Sequence, residues 1–231
     1  LMGTGTTIGK MTSVQPSTIA MPTPTLALAS KSPRRRQLLT EAGLAHEIIP
    51  SGIDDGQLSA SAVHPAHWVT ALAYMKAAAG AGQWAAAIPD RPAVVLGADT
   101  VCVKDTPVGQ HTQHEIIGQP DDADHARAII TRLNNGAHSV ITGVALIDTH
   151  AGQSDLFSAA AHVRVGDIGR EAIDRYIDSG NWQGKAGAYN LFERLDAGWP
   201  IEFEGDPHTI VGLPIADLLP RLARLGITPA G

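Results

Sequence analysis

From Ala93 to Val103 the chain is apolar except at Asp99 and Thr100, in the order Ala-Val-Val-Leu-Gly-Ala-Asp-Thr-Val-Cys-Val. A short run rich in β-branched residues fits a strand buried on both faces. A carboxylate cannot lie unpaired in such a strand, because burying an isolated charge is too costly. Asp99 therefore needs a cation, a metal or a strand position open to solvent. Such a carboxylate is placed to hold a hard ion or to activate water. A satisfied buried Asp fits the same residues.

The flanking segments predict alternating strands and helices. Leu26–Ala29 is a short strand. Ser32-Pro33 then forms an N-cap with proline at the first helical position, and that helix stops at Gly43. Ile48-Ile49 makes a second strand. Residues 65–79 form an alanine-rich helix with Trp68, Leu72 and Met75 as its core stripe. Residues 105–118 are a hairpin or loop. Asp121 caps a helix carrying Ala126, Ile129, Ile130 and Leu133. Val140–Ile147 and Phe157–Val165 are strands, Ile168–Ile177 is a helix, and the last helix covers residues 215–225. This pattern predicts an α/β protein with a mixed sheet. No repeat and no Pro/Gly-rich linker divides the chain after residue 25. The organisation is thus a flexible leader over residues 1–24 and one domain over 25–231.

The net charge of −6 argues against a nucleic-acid coat, which needs a basic excess, but leaves room for a local basic pocket. No apolar run reaches the roughly 20 residues that span a bilayer. A single cysteine, Cys102, permits no internal disulfide, and its apolar setting suggests an inert buried thiol. These features predict a cytoplasmic protein that engages neither a membrane nor a nucleic-acid polymer.

Four further segments could carry chemistry. In Ser30-Lys31-Ser32-Pro33-Arg34-Arg35-Arg36, two hydroxyls and three arginines surround a helix N-terminus. Orphan N–H groups and arginine forks bind phosphate. A capped helix with a solvated basic face fits equally. Asp54-Asp55 could recruit a hard cation or make a turn. Lys76 on the alanine-rich helix is, by itself, a solvated lysine. Gly184-Lys185-Ala186-Gly187-Ala188-Tyr189 is too short for a Walker loop. The pairs His64–His67 and His111–His114 lack a third ligand at zinc spacing and are expected to be surface histidines.

Taken in order, the segments LALASKSPRRRQLL, LAYMKA, VVLGADTVCV, LNNGAHSVITGVAL, AIDRYIDSGNWQGKAGAY and HTIVGLPI resemble the Maf family from Leu26 to about Leu225. The resemblance implies an elongated mixed-sheet fold of the inosine triphosphatase type, with two lobes around a deep cleft. It implies a nucleoside triphosphate pyrophosphatase that uses a divalent metal, Mg²⁺ or Mn²⁺, with dTTP and UTP as preferred substrates. Carried over by position, Ser30, Ser32, Arg34 and Arg35 would hold the triphosphate and Lys76 would add a phosphate contact. Asp99 would be the central acid, as metal ligand or general base, with Asp55 as its acidic partner. Lys185 and Tyr189 would line the nucleotide side. A homodimer is the default assembly.

Three positions depart from the family pattern. Gln119 stands where Lys is usual, Phe192 where a base-reading Gln is usual, and Asp55 where Glu is usual. The missing lysine motivates an alternative, a catalytically weak nucleotide-binding protein linked to cell division.

Overall fold

The computed structural model describes residues 23–53, 58 and 63–230. Its elements are β1 (Thr25–Leu28), α1 (Pro33–Glu41), β2 (Glu47–Ile48), α2 (Pro65–Ala87), β3 (Ala93–Val108) and β4 (His111–Ile117). They continue with α3 (Ala123–Leu133), β5 (Gly136–Asp148), β6 (Gln153–Val165), α4 (Arg170–Asp178) and a 3₁₀ turn over Ala186–Ala188. The chain finishes with α5 (Leu191–Asp196), β7 (Ile201–Glu204), α6 (Pro207–Val211) and α7 (Ile215–Arg224).

The seven strands form one mixed sheet in the order β2-β1-β3-β5-β6-β7, with β4 added beside β3. Strands β2, β1 and β3 run parallel, and all other pairings are antiparallel. The expected mixed α/β architecture is therefore present.

β3 positions the site. One edge pairs with β5 continuously from Val94 to Val103. The other edge pairs with β1 only over Ala93–Leu96 and with β4 only from Cys102 onward. Among the described residues, no strand covers Gly97–Val101 on that edge. Asp99 and Thr100 sit in this gap, beside the point where β1 ends and the chain turns into α1. Crevices outside strand carboxyl ends are where α/β sheets bind ligands.

Helix α2 lies on one sheet face, over β3 and β5. Its close approach depends on two glycines. A Cβ on Gly97 would stand 2.2 Å from the Ala73 carbonyl oxygen, and one on Gly143 would stand 2.5 Å from the Val69 backbone. Opposite α2, two hydrophobic clusters cover the other face. One gathers Leu38 and Leu39 of α1 with Leu218 and Leu222 of α7 over Val94, Leu96 and Ala98. The second gathers Ile129, Ile130 and Leu133 of α3 with Tyr176, Trp182 and Trp199 around Cys102. The cleft opens between the two.

Several expectations need correction. α2 runs to Ala87 through Gly80 and Gly82: Gly80 is buried where a Cβ would meet Ala29 at 2.9 Å, and Trp84 beyond it is buried too. Its core stripe is Val69, Leu72, Ala73, Ala77, Gly80 and Trp84. Met75 is exposed and Trp68 only partly buried, because the small residues face the sheet and rotate the large ones outward. Asp122, not Asp121, caps α3 by accepting from the His125 N–H. The hairpin reading of residues 105–118 holds: β3 and β4 pair there as an antiparallel hairpin. α5, β7 and α6 were not anticipated at all.

Candidate functional site

A cleft of about 700 Å³ lies at the β3 gap. Asp99 and Lys76 form its floor. Lys76 Nζ donates to Asp99 Oδ1 at 2.6 Å, and both side chains are largely buried. The pair follows from the glycine seam. Asp99 is in register with Gly143, and α2 pressed onto Gly97 and Gly143 carries Lys76 to the carboxylate. Breaking a largely buried pair of this kind costs far more than breaking an exposed one.

The turn from β1 into α1 forms one wall. Ser32 caps α1, accepting from the Arg35 N–H, and Pro33 occupies the first turn. Ser30 Oγ accepts from the Ser32 N–H and from Arg35 Nη1, both at 3.2 Å. Arg35 also donates through Nε to the Gly212 carbonyl at 2.8 Å and through Nη2 to Thr100 Oγ1 at 3.1 Å. Arg34 points across the cleft and donates to the Gly184 carbonyl at 2.8 Å. Burial pulls its guanidinium below the ordinary arginine value, opposed by Glu193 and Tyr176. Two arginines, two serines and a helix N-terminus thus converge, a set suited to a polyanion.

The segment 183–190 forms the facing wall. Its backbone is held from several sides. Gly187 N–H donates to the Gly118 carbonyl at 3.0 Å, and Tyr176 Oη donates to the Ala188 carbonyl at 2.9 Å. Ala188 takes φ 62°, which is uncommon for a residue with a Cβ. Tyr189 is buried and lines the cleft, while its hydroxyl meets His138 Nε2 at 2.8 Å in the interior. Burial, with Lys104 assisting, lowers His138 to about 4. Burial also raises Tyr189 well above the usual tyrosine value. Cys102 is buried beside Gly187, and burial pushes its thiol up to about 12, so no thiolate is available there.

Of the residues singled out from sequence, Ser30, Ser32, Arg34, Arg35, Lys76, Asp99 and Tyr189 share the cleft. Lys185 stands apart: it is 7% exposed, pairs with Glu193 and does not line the cleft. Gln119 lines it; Phe192 does not, being exposed beside the His208 ring. Asp54 and Asp55 lie outside the described residues. Asp99 is the sole acid lining the cleft among the described residues, and no group of three or more His, Cys, Asp or Glu there could hold a metal. One carboxylate suits an ion that completes its shell with phosphate oxygens and waters, as Mg²⁺ does. The histidine pairs, remote in sequence, meet in space: the rings of His64 and His114 are 5.0 Å apart.

Sequence reasoning gave Thr100 no role of its own and missed Thr142 and Thr209. Thr100 Oγ1 lies 2.9 Å from Thr142 Oγ1, which donates to the Thr209 carbonyl at 2.8 Å. The signal for Thr142 was a Thr-Gly pair inside the otherwise apolar run of β5.

Fold and site together define a mixed-sheet α/β protein with a cleft lined by arginines and serines and floored by a lysine–carboxylate pair. The chain belongs to the Maf family: the family described as Maf-like protein matches residues 25–225. A dTTP/UTP pyrophosphatase of Alkaliphilus metalliredigens is 37% identical over 193 residues, covering 84% of this chain and 92% of that protein. A dTTP/UTP pyrophosphatase of Geobacillus sp. is 37% identical over 201 residues, covering 87% and 98%. A solved nucleoside-triphosphatase / dITP/XTP pyrophosphatase of Mycobacterium abscessus matches at 16% identity and TM-score 0.39, covering 86% of this chain and 99% of that one.

Proposed function

We propose that this chain hydrolyses nucleoside triphosphates between the α and β phosphates, releasing a nucleoside monophosphate and pyrophosphate, with dTTP and UTP preferred. The observation that carries the reading is the Lys76–Asp99 pair set in the same cleft as the α1 turn with Arg34 and Arg35. The names of the relatives support the substrate class.

In this reading the α1 N–H groups, Ser30, Ser32, Arg34 and Arg35 hold the polyphosphate. Asp99 takes a proton from water as the water oxygen bonds to the α phosphorus. The bond from that phosphorus to the bridging oxygen breaks, and its electron pair leaves with pyrophosphate. Lys76 keeps Asp99 oriented, and the cationic groups oppose the charge that develops on the leaving group. Asp99 and Asp55 would hold a divalent ion, Mg²⁺ or Mn²⁺, which would supply further charge neutralisation there. Tyr189 forms part of the nucleoside end, and Lys185 supports that end through Glu193.

The intact Lys76–Asp99 pair favours an enzyme over a catalytically weak binding protein, despite glutamine at position 119. We place the enzyme in the cytoplasm as a homodimer. No helix among the described residues is long and apolar enough to cross a membrane. The test is pyrophosphate release from dTTP, UTP, CTP, 7-methyl-GTP and ITP with Mg²⁺, Mn²⁺ or EDTA. Metal-dependent release from dTTP and UTP is expected. Silence across the panel from folded protein would overturn the proposal.

A further inference from the structure

We infer that Thr142 is a positioning residue for polyphosphate binding, acting on Arg35 through Thr100. This role rests on the reading of the cleft as a triphosphate site. Thr142 is fully buried on β5 and touches no part of the cleft surface itself. It is in register with Thr100 on β3, and their hydroxyls are 2.9 Å apart.

The direction of every proton in the chain is fixed by its two ends. Arginine can only donate, and a backbone carbonyl can only accept. Arg35 Nη2 therefore donates to Thr100 Oγ1 at 3.1 Å, and the Thr142 hydroxyl donates to the Thr209 carbonyl at 2.8 Å. The Thr142 proton is then spent, so the hydrogen bond between the threonines must come from the Thr100 hydroxyl. Each hydroxyl proton points away from the guanidinium, and each acceptor lone pair points toward it. Such aligned chains strengthen one another in a low-dielectric interior.

The relay ends on α6, whose last carbonyls have no helical partner. α6 leads directly to Gly212, whose carbonyl accepts from Arg35 Nε at 2.8 Å. Arg35 is thus tied to the 209–212 segment twice, once directly and once through two threonines across the sheet. Removing the Thr142 hydroxyl leaves the Thr209 carbonyl unpaired. It also leaves the Thr100 proton without its acceptor, so the rotamer that keeps an Oγ1 lone pair on Arg35 Nη2 is no longer enforced. Arg35 keeps its charge and its bonds to Ser30 and Gly212, and its contact with Thr100 is the one that weakens.

The experiment uses the full chain as Thr142→Val, which keeps the shape and drops the hydroxyl, and Thr142→Ser, which keeps the hydroxyl. Pyrophosphate affinity is measured by calorimetry, and kcat and KM are measured on dTTP and UTP. Thr142→Val is expected to weaken pyrophosphate binding about tenfold, the scale of one hydrogen bond to a charged group. KM should rise by the same factor for both nucleotides, with kcat nearly unchanged. Thr142→Ser should restore most of the affinity, and Thr142→Val should add nothing in an Arg35→Ala background.

A folded Thr142→Val protein with unchanged pyrophosphate affinity would overturn the inference. So would an effect that adds fully to that of Arg35→Ala, or a failure of Ser to restore. Should Thr142→Val not fold, Thr100→Val cuts the same relay at its other link and must give the same result. Pyrophosphate binding without turnover of any nucleotide would sink the hydrolysis reading and leave the relay standing. No pyrophosphate binding by the unmodified protein would sink both.

Discussion

The two walls of the cleft are rigid for different reasons. On the α1 wall, side chains do the holding: Ser30, Ser32, Thr100 and Arg35 bond to one another and to backbone groups. On the 183–190 wall, buried side chains hold the backbone: Tyr176 grips the Ala188 carbonyl, and His138 takes the Tyr189 hydroxyl away from the cleft. A charged wall suits a ligand whose charge must be neutralised, and a shaped wall suits one recognised by contour. On the proposed function, phosphate falls to the first and the nucleoside to the second.

The largest expected effect sharpens that assignment. Asp99→Asn keeps the size of the side chain and its bond from Lys76 but cannot accept a proton from water. Turnover should fall by about 10³-fold, on the scale of a lost general base. Pyrophosphate should still bind, because the α1 wall is untouched. Single-turnover kinetics with calorimetry on the same protein checks both halves. An active Asp99→Asn would remove the chemistry from the floor and leave the two walls without a reaction between them.

Next comes the seam that presses α2 against the floor. Gly143→Ala places a methyl 2.5 Å from the Val69 backbone, where no flexible side chain can give way. The cost should be about 3 kcal/mol or more, the upper range for overpacking. Urea unfolding measures it. If the variant folds, α2 must have moved, and Lys76 should no longer hold Asp99. Activity lost with the fold retained would then separate the floor from the walls.

What could be read in the sequence follows the same division. The α1 wall is local: Ser30 to Arg35 are neighbours in the chain, and Ser32-Pro33 announces the helix start. Asp99 stood out because a carboxylate in an apolar run demands a reason. The facing wall is assembled over long separations. His138 and Tyr189 are 51 residues apart, and no spacing rule joins them. Thr142 is hidden for a similar reason, since its role exists only through register with Thr100 and contact with α6. The Met75 expectation failed because three-to-four spacing gives a periodicity and not its phase; the small residues took the sheet face. α6 and α5 are too short for a periodic pattern to reveal them.

The second wall can be tested through pH. Unfolded histidine titrates near 6.5, and burial holds His138 at about 4. Between these values the unfolded chain carries the extra proton. Stability from this group is therefore complete above pH 6.5 and is lost as pH falls toward 4. The full loss is worth about 3 kcal/mol. Urea midpoints at pH 7, 5.5 and 4 should drop accordingly, and His138→Gln should flatten the part of the slope that this residue contributes. An unchanged slope in His138→Gln would mean that other groups govern acid stability and that His138 is not the buried pin of this wall.

The smallest effect asks whether the pin matters to the ligand. Tyr189→Phe keeps the ring and removes only the hydroxyl, leaving His138 Nε2 without its partner. The loss of stability should be about 1–2 kcal/mol, the cost of one unmade buried hydrogen bond. Pyrophosphate affinity should not change, because the α1 wall is intact. KM for dTTP and UTP should rise slightly if the ring tilts, with kcat preserved. A fall in pyrophosphate affinity would instead show that the two walls are not independent, and that strain in the 185–189 backbone reaches Arg34 through its bond to Gly184.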